Sequence, residues 1–452
     1  MVTSACRQAR SAPGRFPLRE YIVNRLLHNL SYPYNETAVN HGIPQEHKTV
    51  KYANLLCAVK LIRQLGSGCF MAKSDIKSAF RIVPLHPSQY PLMGFKWRGK
   101  YYYDKFLAMG LAESCRIFET ISDAIIYILK THFGISNIVK VLDDFLILET
   151  DKETCRQHLR TFLRLCGHLG IPIAMEKTSV EPAQAITFLG IKLCTVSMTA
   201  CLPADKLEAY TAEVARVAQA KPNAITVGDL RSLVGKLQFA TCVIPAGRPF
   251  LRRLINKFAP HDKPFWHLKL TKGHVEDLAM WAQFLERYNG VTIIRQPYIC
   301  ASNAVNLYTD ASDLGFGGTF GSYWVQGHWV ARWKKLNIAV RELYPVLLVV
   351  KLFGHKMAHS TVLFHCDNQA VVAVINKQTS RDKTLMRLLR PLILELLTHN
   401  IRFRAEYIPT DENSLADALS RFQETPHFLR GLGMRLLPTV IPPQLQPSAF
   451  IG

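Results

Sequence analysis

Residues 138–148 read Ile138-Val139-Lys140-Val141-Leu142-Asp143-Asp144-Phe145-Leu146-Ile147-Leu148. Two adjacent carboxylates stand between two short apolar runs. The runs have the length and the β-branched and aromatic content of strands, so the segment predicts a β-hairpin with the acid pair at its tip. Two like charges held side by side repel, and burying either costs free energy unless a cation or hydrogen bonds compensate. On its own, an Asp-Asp pair is an ordinary turn. To hold divalent ions over a phosphate it needs a third carboxylate on a neighbouring strand.

Upstream, Phe70-Met71-Ala72-Lys73-Ser74-Asp75-Ile76-Lys77-Ser78-Ala79-Phe80 supplies one. An apolar strand ends in Asp75, and Ser78–Phe80 turns away from it. A single Asp after a strand is otherwise a cap or turn residue. Met93–Tyr103 predicts two strands joined by a Gly-containing turn. Its interleaved basic and aromatic residues suit a nucleic-acid backbone and base stack, or a plain core. Gly110-Leu111 opens a helix over residues 112–133, with Ile117, Ile121, Ala124, Ile125 and Ile128 at helical spacing. Behind the acid hairpin, Lys152–Leu169 is an amphipathic helix ended by Gly170. Glu176-Lys177-Thr178 follows, then Thr187–Leu193 as a strand. This α+β order can place Asp75, Asp143 and Asp144 side by side on one sheet.

The whole chain of 452 residues is long enough for roughly three domains. Its 48% hydrophobic and 20% charged residues are ordinary for a globular protein. The formal charge of +21 points to a polyanionic partner, nucleic acid first. A membrane surface is the rival, but no amphipathic basic helix stands out and the apolar stretches are too short for a span. The basic N-terminus has no apolar signal core. Eleven cysteines without a C-x-x-C pair argue against a disulfide framework or zinc knuckle and for a reducing, intracellular site. Residues 1–18 read as irregular. Arg25, Lys48, Lys51 and Lys60 make the front portion basic.

Residues 203–290 read as mostly helical, with one helix over Val227–Ala240 and a basic cluster at Arg248, Arg252, Arg253 and Lys257. A new domain begins near Ser302. Val305–Ser312 is a strand carrying Asp310, Gly315–Phe320 and Trp324–Val330 are two more, and Glu342 sits in a helix over Ala339–Lys356. Thr361–Cys366 is a strand ending at Asp367-Asn368, Ile401–Ile408 is the last strand, and Asp417 lies in a helix over Asn413–Arg421. Residues 422–452 are Pro-rich and read as a linker or loose tail. Four carboxylates converging on one sheet need cations. Two Mg²⁺ ions ~3.5–4 Å apart are a known solution for breaking a phosphodiester, and Mg²⁺ prefers oxygen ligands.

Lys73-Ser74-Asp75-Ile76 to Phe80, Leu142-Asp143-Asp144-Phe145 and Phe188-Leu189-Gly190-Ile191 resemble the palm of a retroelement reverse transcriptase. Thr309-Asp310-Ala311-Ser312, Glu342, Asp367-Asn368 and Ala416–Arg421 resemble a ribonuclease H domain fused behind it. The resemblance implies a right-hand polymerase of fingers, palm and thumb followed by an α/β ribonuclease H-like domain. Fingers and palm would span residues 19–200, a helical thumb or connection 201–298, the ribonuclease H-like domain 299–422 and the tail 423–452. His28–Pro33, His86-Pro87 and Leu233–Phe239 are similar to DIRS-type elements. Gypsy-type elements and pararetroviruses are alternative relatives.

The resemblance also implies roles. Asp75, Asp143 and Asp144 would bind two Mg²⁺ (Mn²⁺ as substitute) for nucleotidyl transfer. Lys177 would protonate pyrophosphate, Arg25 would bind the triphosphate and Phe80 would exclude a ribose 2′-hydroxyl. Gly110 belongs to the template-side loop, and Phe188, Leu189 and Gly190 to the primer grip. Asp310, Glu342, Asp367 and Asp417 would bind the two ions that cut the RNA strand of a hybrid. The implied partners are an RNA template, a DNA primer, RNA–DNA hybrid and dNTPs, with a separate tyrosine recombinase and a Gag-like protein, in cytoplasm or nucleus. The chain departs from the pattern at Val141, where an aromatic is usual, at Ala112-Glu113-Ser114-Cys115 after Gly-Leu, and at Tyr407, where a histidine is usual. These departures leave a second reading, a catalytically weakened nucleic-acid-binding remnant.

Overall fold

The computed structural model describes residues 27–221, 223–289 and 304–450, together with the backbone of short strands at Cys6–Gln8, Val23–Arg25 and Thr292–Ile293. The irregular stretch expected over residues 1–18 otherwise lies outside the described residues. The chain divides into two compact units, with the boundary between Ala200 and Cys201.

In the first unit, helix α1 (Leu55–Leu65) precedes strand β1 (Phe70–Asp75), the hairpin β2 (Gly94–Trp97) and β3 (Lys100–Tyr103), and helix α2 (Ser114–Phe133). The acid hairpin follows as β4 (Ile138–Val141) and β5 (Asp144–Glu149), then helix α3 (Lys152–His168). β5 is the centre of a three-stranded antiparallel sheet, order β1-β5-β4. One face carries Ala72, Phe145 and Ile147, packed under Phe118, Ile125 and Leu129 of α2 and Leu159 and Phe162 of α3. The other carries Met71, Leu146 and Leu148, also buried. Burial on both faces explains why the run reads as continuously apolar rather than alternating. Asp151 caps α3 by accepting a hydrogen bond from the Thr154 amide at 2.8 Å, and Gly170 in the left-handed region (φ 69°) follows its end.

The single strand expected over Thr187–Leu193 is instead a hairpin, β6 (Ala185–Phe188) and β7 (Ile191–Cys194). Leu189 and Gly190 both have positive φ (48° and 74°), the two-residue turn that matches strand twist. A leucine at the first position hid that turn from the sequence.

The second unit begins with helices α4 (Ala204–Ala218), α5 (Val227–Ala240), α6 (Arg252–Phe258) and α7 (Lys272–Tyr288). Strands β8 (Val305–Ala311), β9 (Gly315–Phe320) and β10 (Tyr323–His328), helix α8 (Ile338–Phe353) and strand β11 (Thr361–Cys366) follow. Helices α9 (Gln369–Lys377) and α10 (Lys383–Thr398), strand β12 (Arg402–Tyr407) and helix α11 (Ser414–Ser420) complete it. The five strands form one mixed sheet, order β10-β9-β8-β11-β12, with β8, β11 and β12 parallel and the other pairs antiparallel. Helix α8 is buried almost all round, as its nearly unbroken apolar sequence requires, and Arg341 and Glu342 are buried with it.

The Pro-rich tail is not loose. It forms a helix at Pro426–Gly431 and then lies along the unit. Its backbone carbonyls accept from buried aromatic side chains: Arg435 O from Trp324 Nε1 at 2.6 Å, Pro447 O from Trp333 Nε1 at 3.0 Å and Leu445 O from the Tyr344 hydroxyl at 2.8 Å. A buried indole N–H needs an acceptor, and the tail supplies it. Among the described residues no helix is long and apolar enough to cross a membrane.

Candidate functional site

The antiparallel register of β1 and β5 sets Asp75 directly opposite Asp144. Side chains so paired project to the same side with Cβ atoms ~4.5–5.5 Å apart. Asp143 occupies the two-residue turn between β4 and β5, next to Leu142 at φ 54°. A side chain in that left-handed conformation costs about 1–2 kcal/mol, and such strain persists only where the surroundings impose it. Here they do. The Leu142 amide donates to Glu119 Oε2 of α2 at 3.2 Å, and the Ile76 amide donates to Asp143 O at 3.0 Å. Glu119 is itself fixed by Lys140 Nζ at 2.7 Å, and Lys140, 8% exposed, also meets Asp123 at 2.9 Å.

The backbone past β1 extends the site. The Lys77 amide donates to Pro172 O and the Ala174 amide to Asp75 O, each at 2.8 Å. That pairing brings the Met175–Lys177 turn against Asp75, and Lys177 Nζ reaches both carboxylate oxygens at 2.8 and 3.0 Å. The carboxyl of Asp144 is pushed up to about 6, first by burial, then by the charges of Asp143 and Asp75 and a hydrogen bond with Asp75; Lys177 pulls it the other way. One lysine does not balance three carboxylates. The donors are all hard oxygens, the set that Mg²⁺ or Mn²⁺ takes.

Phe80 lies half-buried in the turn Ala79–Ile82, its ring edge-on to Phe118 at 6.1 Å. Gly110 has φ 112°, and a β-carbon there would lie 1.8 Å from His28 O, so only glycine fits this loop. Asn40 ties the loop down, donating to Gly110 O and accepting from the Ala112 amide, both at 2.9 Å. Phe188 is 2% exposed and belongs to the core; the half-buried Leu189–Gly190 turn is the part of that segment open to a ligand. Arg25 closes a short strand, and its side chain lies outside the described residues.

The second unit brings its four acids together. Asp310 lies on β8, Glu342 on α8 and Asp417 on α11, and Asp367 directly follows β11. Gly317 of β9 makes the approach of α11 possible, because a β-carbon there would lie 2.5 Å from Leu419 Cβ and 2.8 Å from Ala416 O. Asn413 anchors the start of that helix by donating to Thr309 O at 3.0 Å. Asp310 is pushed up to about 6, first by burial and also by the charges of Asp367 and Asp417, against a hydrogen bond with Ser420. Glu342 is raised well above the ordinary range by burial and by Asp310 and Asp367. Its Oε2 is buried with no hydrogen-bond partner. An orphaned buried carboxylate oxygen among like charges is a fit for a cation. Cys366 also comes within 4.8 Å of Glu342 and Asp367, but burial pushes its thiol up, so it stays protonated and belongs to the core.

The sequence did not mark Glu119, Lys140 or Asn40 as part of the first site. Lys140 carried a signal, a lone charge inside an apolar strand. The basic cluster beyond α5 is partly internal, because Arg253 faces Asp277 at 3.4 Å, and Arg390 of α10 meets the same carboxylate at 3.2 Å.

An acid hairpin, a carboxylate opposite it and a lysine on that carboxylate sit within a segment that matches a known family. Residues 18–193 match the model of the family described as reverse transcriptase (RNA-dependent DNA polymerase). The Transposon Tf2-3 polyprotein of Schizosaccharomyces pombe is 20% identical over 378 residues, which are 80% of this chain and 26% of that protein. Polyprotein P3 of Commelina yellow mottle virus is 25% identical over 389 residues, 80% of this chain and 18% of that protein. The chain thus spans about a quarter or less of these relatives. The foamy viral protease-reverse transcriptase in complex with double-stranded DNA aligns with a TM-score of 0.48 at 15% identity, over 85% of this chain and 63% of that one.

Proposed function

We propose that the first unit is an RNA-directed DNA polymerase that extends a primer on an RNA or DNA template, and that the second cuts the RNA strand of RNA–DNA hybrids. The observation that carries the reading is Asp75 held opposite Asp144, with Asp143 in the turn and Lys177 on Asp75. Asp75, Asp143 and Asp144 would hold two Mg²⁺ ions, or Mn²⁺; bound there, the ions supply positive charge to the primer 3′-hydroxyl and the triphosphate. The protein's own share is to fix three carboxylates on two paired strands before substrate arrives, so no reorganisation is needed as charge develops. Lys177 Nζ is the proton donor for departing pyrophosphate. Phe80 is the gate against a ribose 2′-hydroxyl, the Leu189–Gly190 turn supports the primer, Gly110 shapes the template-side loop, and Arg25 takes the triphosphate.

Asp310, Glu342, Asp367 and Asp417 would hold the ions of the hydrolytic site. The orphaned Glu342 Oε2 supports this assignment. Among retroelements we place the chain nearest the DIRS type, acting inside the cell with a separate tyrosine recombinase and a Gag-like protein. Glu113, the acid that favours a weakened remnant, is engaged within the protein by His47 at 2.9 Å and Arg116 at 3.5 Å. That pairing lessens its repulsion toward a phosphate strand and supports an active enzyme. The test is primer extension on an RNA template with dNTPs and Mg²⁺ or Mn²⁺. The wild type should extend and Asp143→Asn should not; equal extension by both would end the polymerase reading.

A further inference from the structure

The β2–β3 hairpin has no part in the carboxylate sites. Its turn, Arg98-Gly99, has both residues at positive φ (46° and 80°), which fits the strand twist and lets a stiff two-stranded tongue stand away from the core. The base is clamped. Asp104 accepts from His28 Nε2 at 2.8 Å and from Arg81, and the neighbouring Met93 and Leu107 are buried. Beyond that clamp the aromatic rings turn outward: Tyr101 is 80% exposed and Trp97 49%. Each has a cation over its ring, Lys96 at 5.1 Å from the Tyr101 centroid and Arg98 at 5.8 Å from that of Trp97. Lys100 stands directly across from Trp97.

Directly paired residues of antiparallel strands share a face. Trp97 and Lys100 are therefore on one face, and Lys96 and Tyr101 on the other. Each face of the tip offers one flat ring and at least one cation. From Gly94 to Tyr103 the sequence contains three cations and no acid. A second copy of this chain, at +21, brings the wrong sign. In a duplex the base faces are already stacked on one another. A single strand offers bases to stack and phosphates to neutralise.

We propose that the β2–β3 hairpin is a stacking platform for single-stranded nucleic acid, with Trp97 and Tyr101 taking bases and Lys96, Arg98 and Lys100 taking phosphates. This goes beyond the polymerase reading and does not depend on catalysis. The test uses the full chain in EDTA without dNTPs, so a protein that fails to extend a primer can still pass. Binding of a labelled oligo(dT) strand and of a blunt DNA duplex of equal length is followed by fluorescence anisotropy. The double variant Trp97→Ala/Tyr101→Ala should bind oligo(dT) about 10- to 100-fold more weakly, the loss of one or two base stacks. Duplex binding should change less than about twofold, and Trp97→Phe/Tyr101→Phe should retain single-strand affinity, since stacking needs only a ring. Replacing Lys96, Arg98 and Lys100 with Gln should lower the salt slope on oligo(dT) by about 2. The proposal fails if the double alanine variant binds oligo(dT) like wild type, or loses strand and duplex affinity alike. It also fails if wild type sediments as a dimer that the variant breaks, which would make the hairpin a contact between copies.

Discussion

At the scale of single residues, the two acid clusters place charge where the fold alone would not tolerate it. Asp310 illustrates the cost. Its folded-state pKa is raised to about 6, above the ordinary range, so between about pH 4 and pH 6 the folded state holds a proton that the unfolded chain releases. Stability of the metal-free protein therefore falls as pH rises through that window. Asp310→Asn removes the penalty and should raise stability by roughly 2 kcal/mol at pH 8 in EDTA, with the gain fading towards pH 4. Thermal melting across pH reads this out, and a variant less stable than wild type at pH 8 would refute it. Gly110 makes the opposite point. With φ at 112° and His28 O in the way, Gly110→Ala should cost on the order of 3 kcal/mol, measured by urea unfolding. A change below ~0.5 kcal/mol would mean that the loop moves freely.

At the scale of elements, the acid hairpin is positioned by helix α2. Glu119 of α2 holds both the strained turn amide of Leu142 and the buried Lys140. Glu119→Ala leaves Lys140 with Asp123 as its one carboxylate partner, beside the residue 119 carbonyl and the Ser122 hydroxyl, so the variant should lose about 2 kcal/mol of stability. Its primer extension should fall while duplex binding stays, because the turn bearing Asp143 relaxes. Unchanged extension would separate the turn from the chemistry. The elements also show what the sequence could and could not reveal. β1, the β4–β5 hairpin and β11 were legible, because acids at the ends of apolar runs are conspicuous. Helix α10 was not marked, yet it packs through Leu385, Leu388, Leu389 and Leu392. The tail was misread. Proline-rich composition indicates a lack of regular structure, not a lack of contacts, and the acceptors for Trp324, Trp333 and Tyr344 lie far away in sequence. Deleting residues 423–450 should therefore lower the melting temperature, whereas a loose tail would leave it unchanged.

At the scale of the whole molecule, a charge of +21 and two separate carboxylate centres belong together. On the proposed reading, a polyanion held by basic surface would bring its phosphates to acids that metal ions reconcile with it. Nucleic-acid affinity should fall steeply with salt, as released counterions require. The spacing of the acids was legible in the sequence, but their convergence was not, since it depends on strand register in one unit and on Gly317 admitting α11 in the other. The most direct measurement runs primer extension and hybrid cleavage side by side on wild type, Asp143→Asn and Asp367→Asn in Mg²⁺ or Mn²⁺. Asp143→Asn should abolish extension and leave cleavage, and Asp367→Asn should do the reverse. If either variant keeps both activities, or if the two activities are always lost together, the account of two independent metal-dependent sites is contradicted.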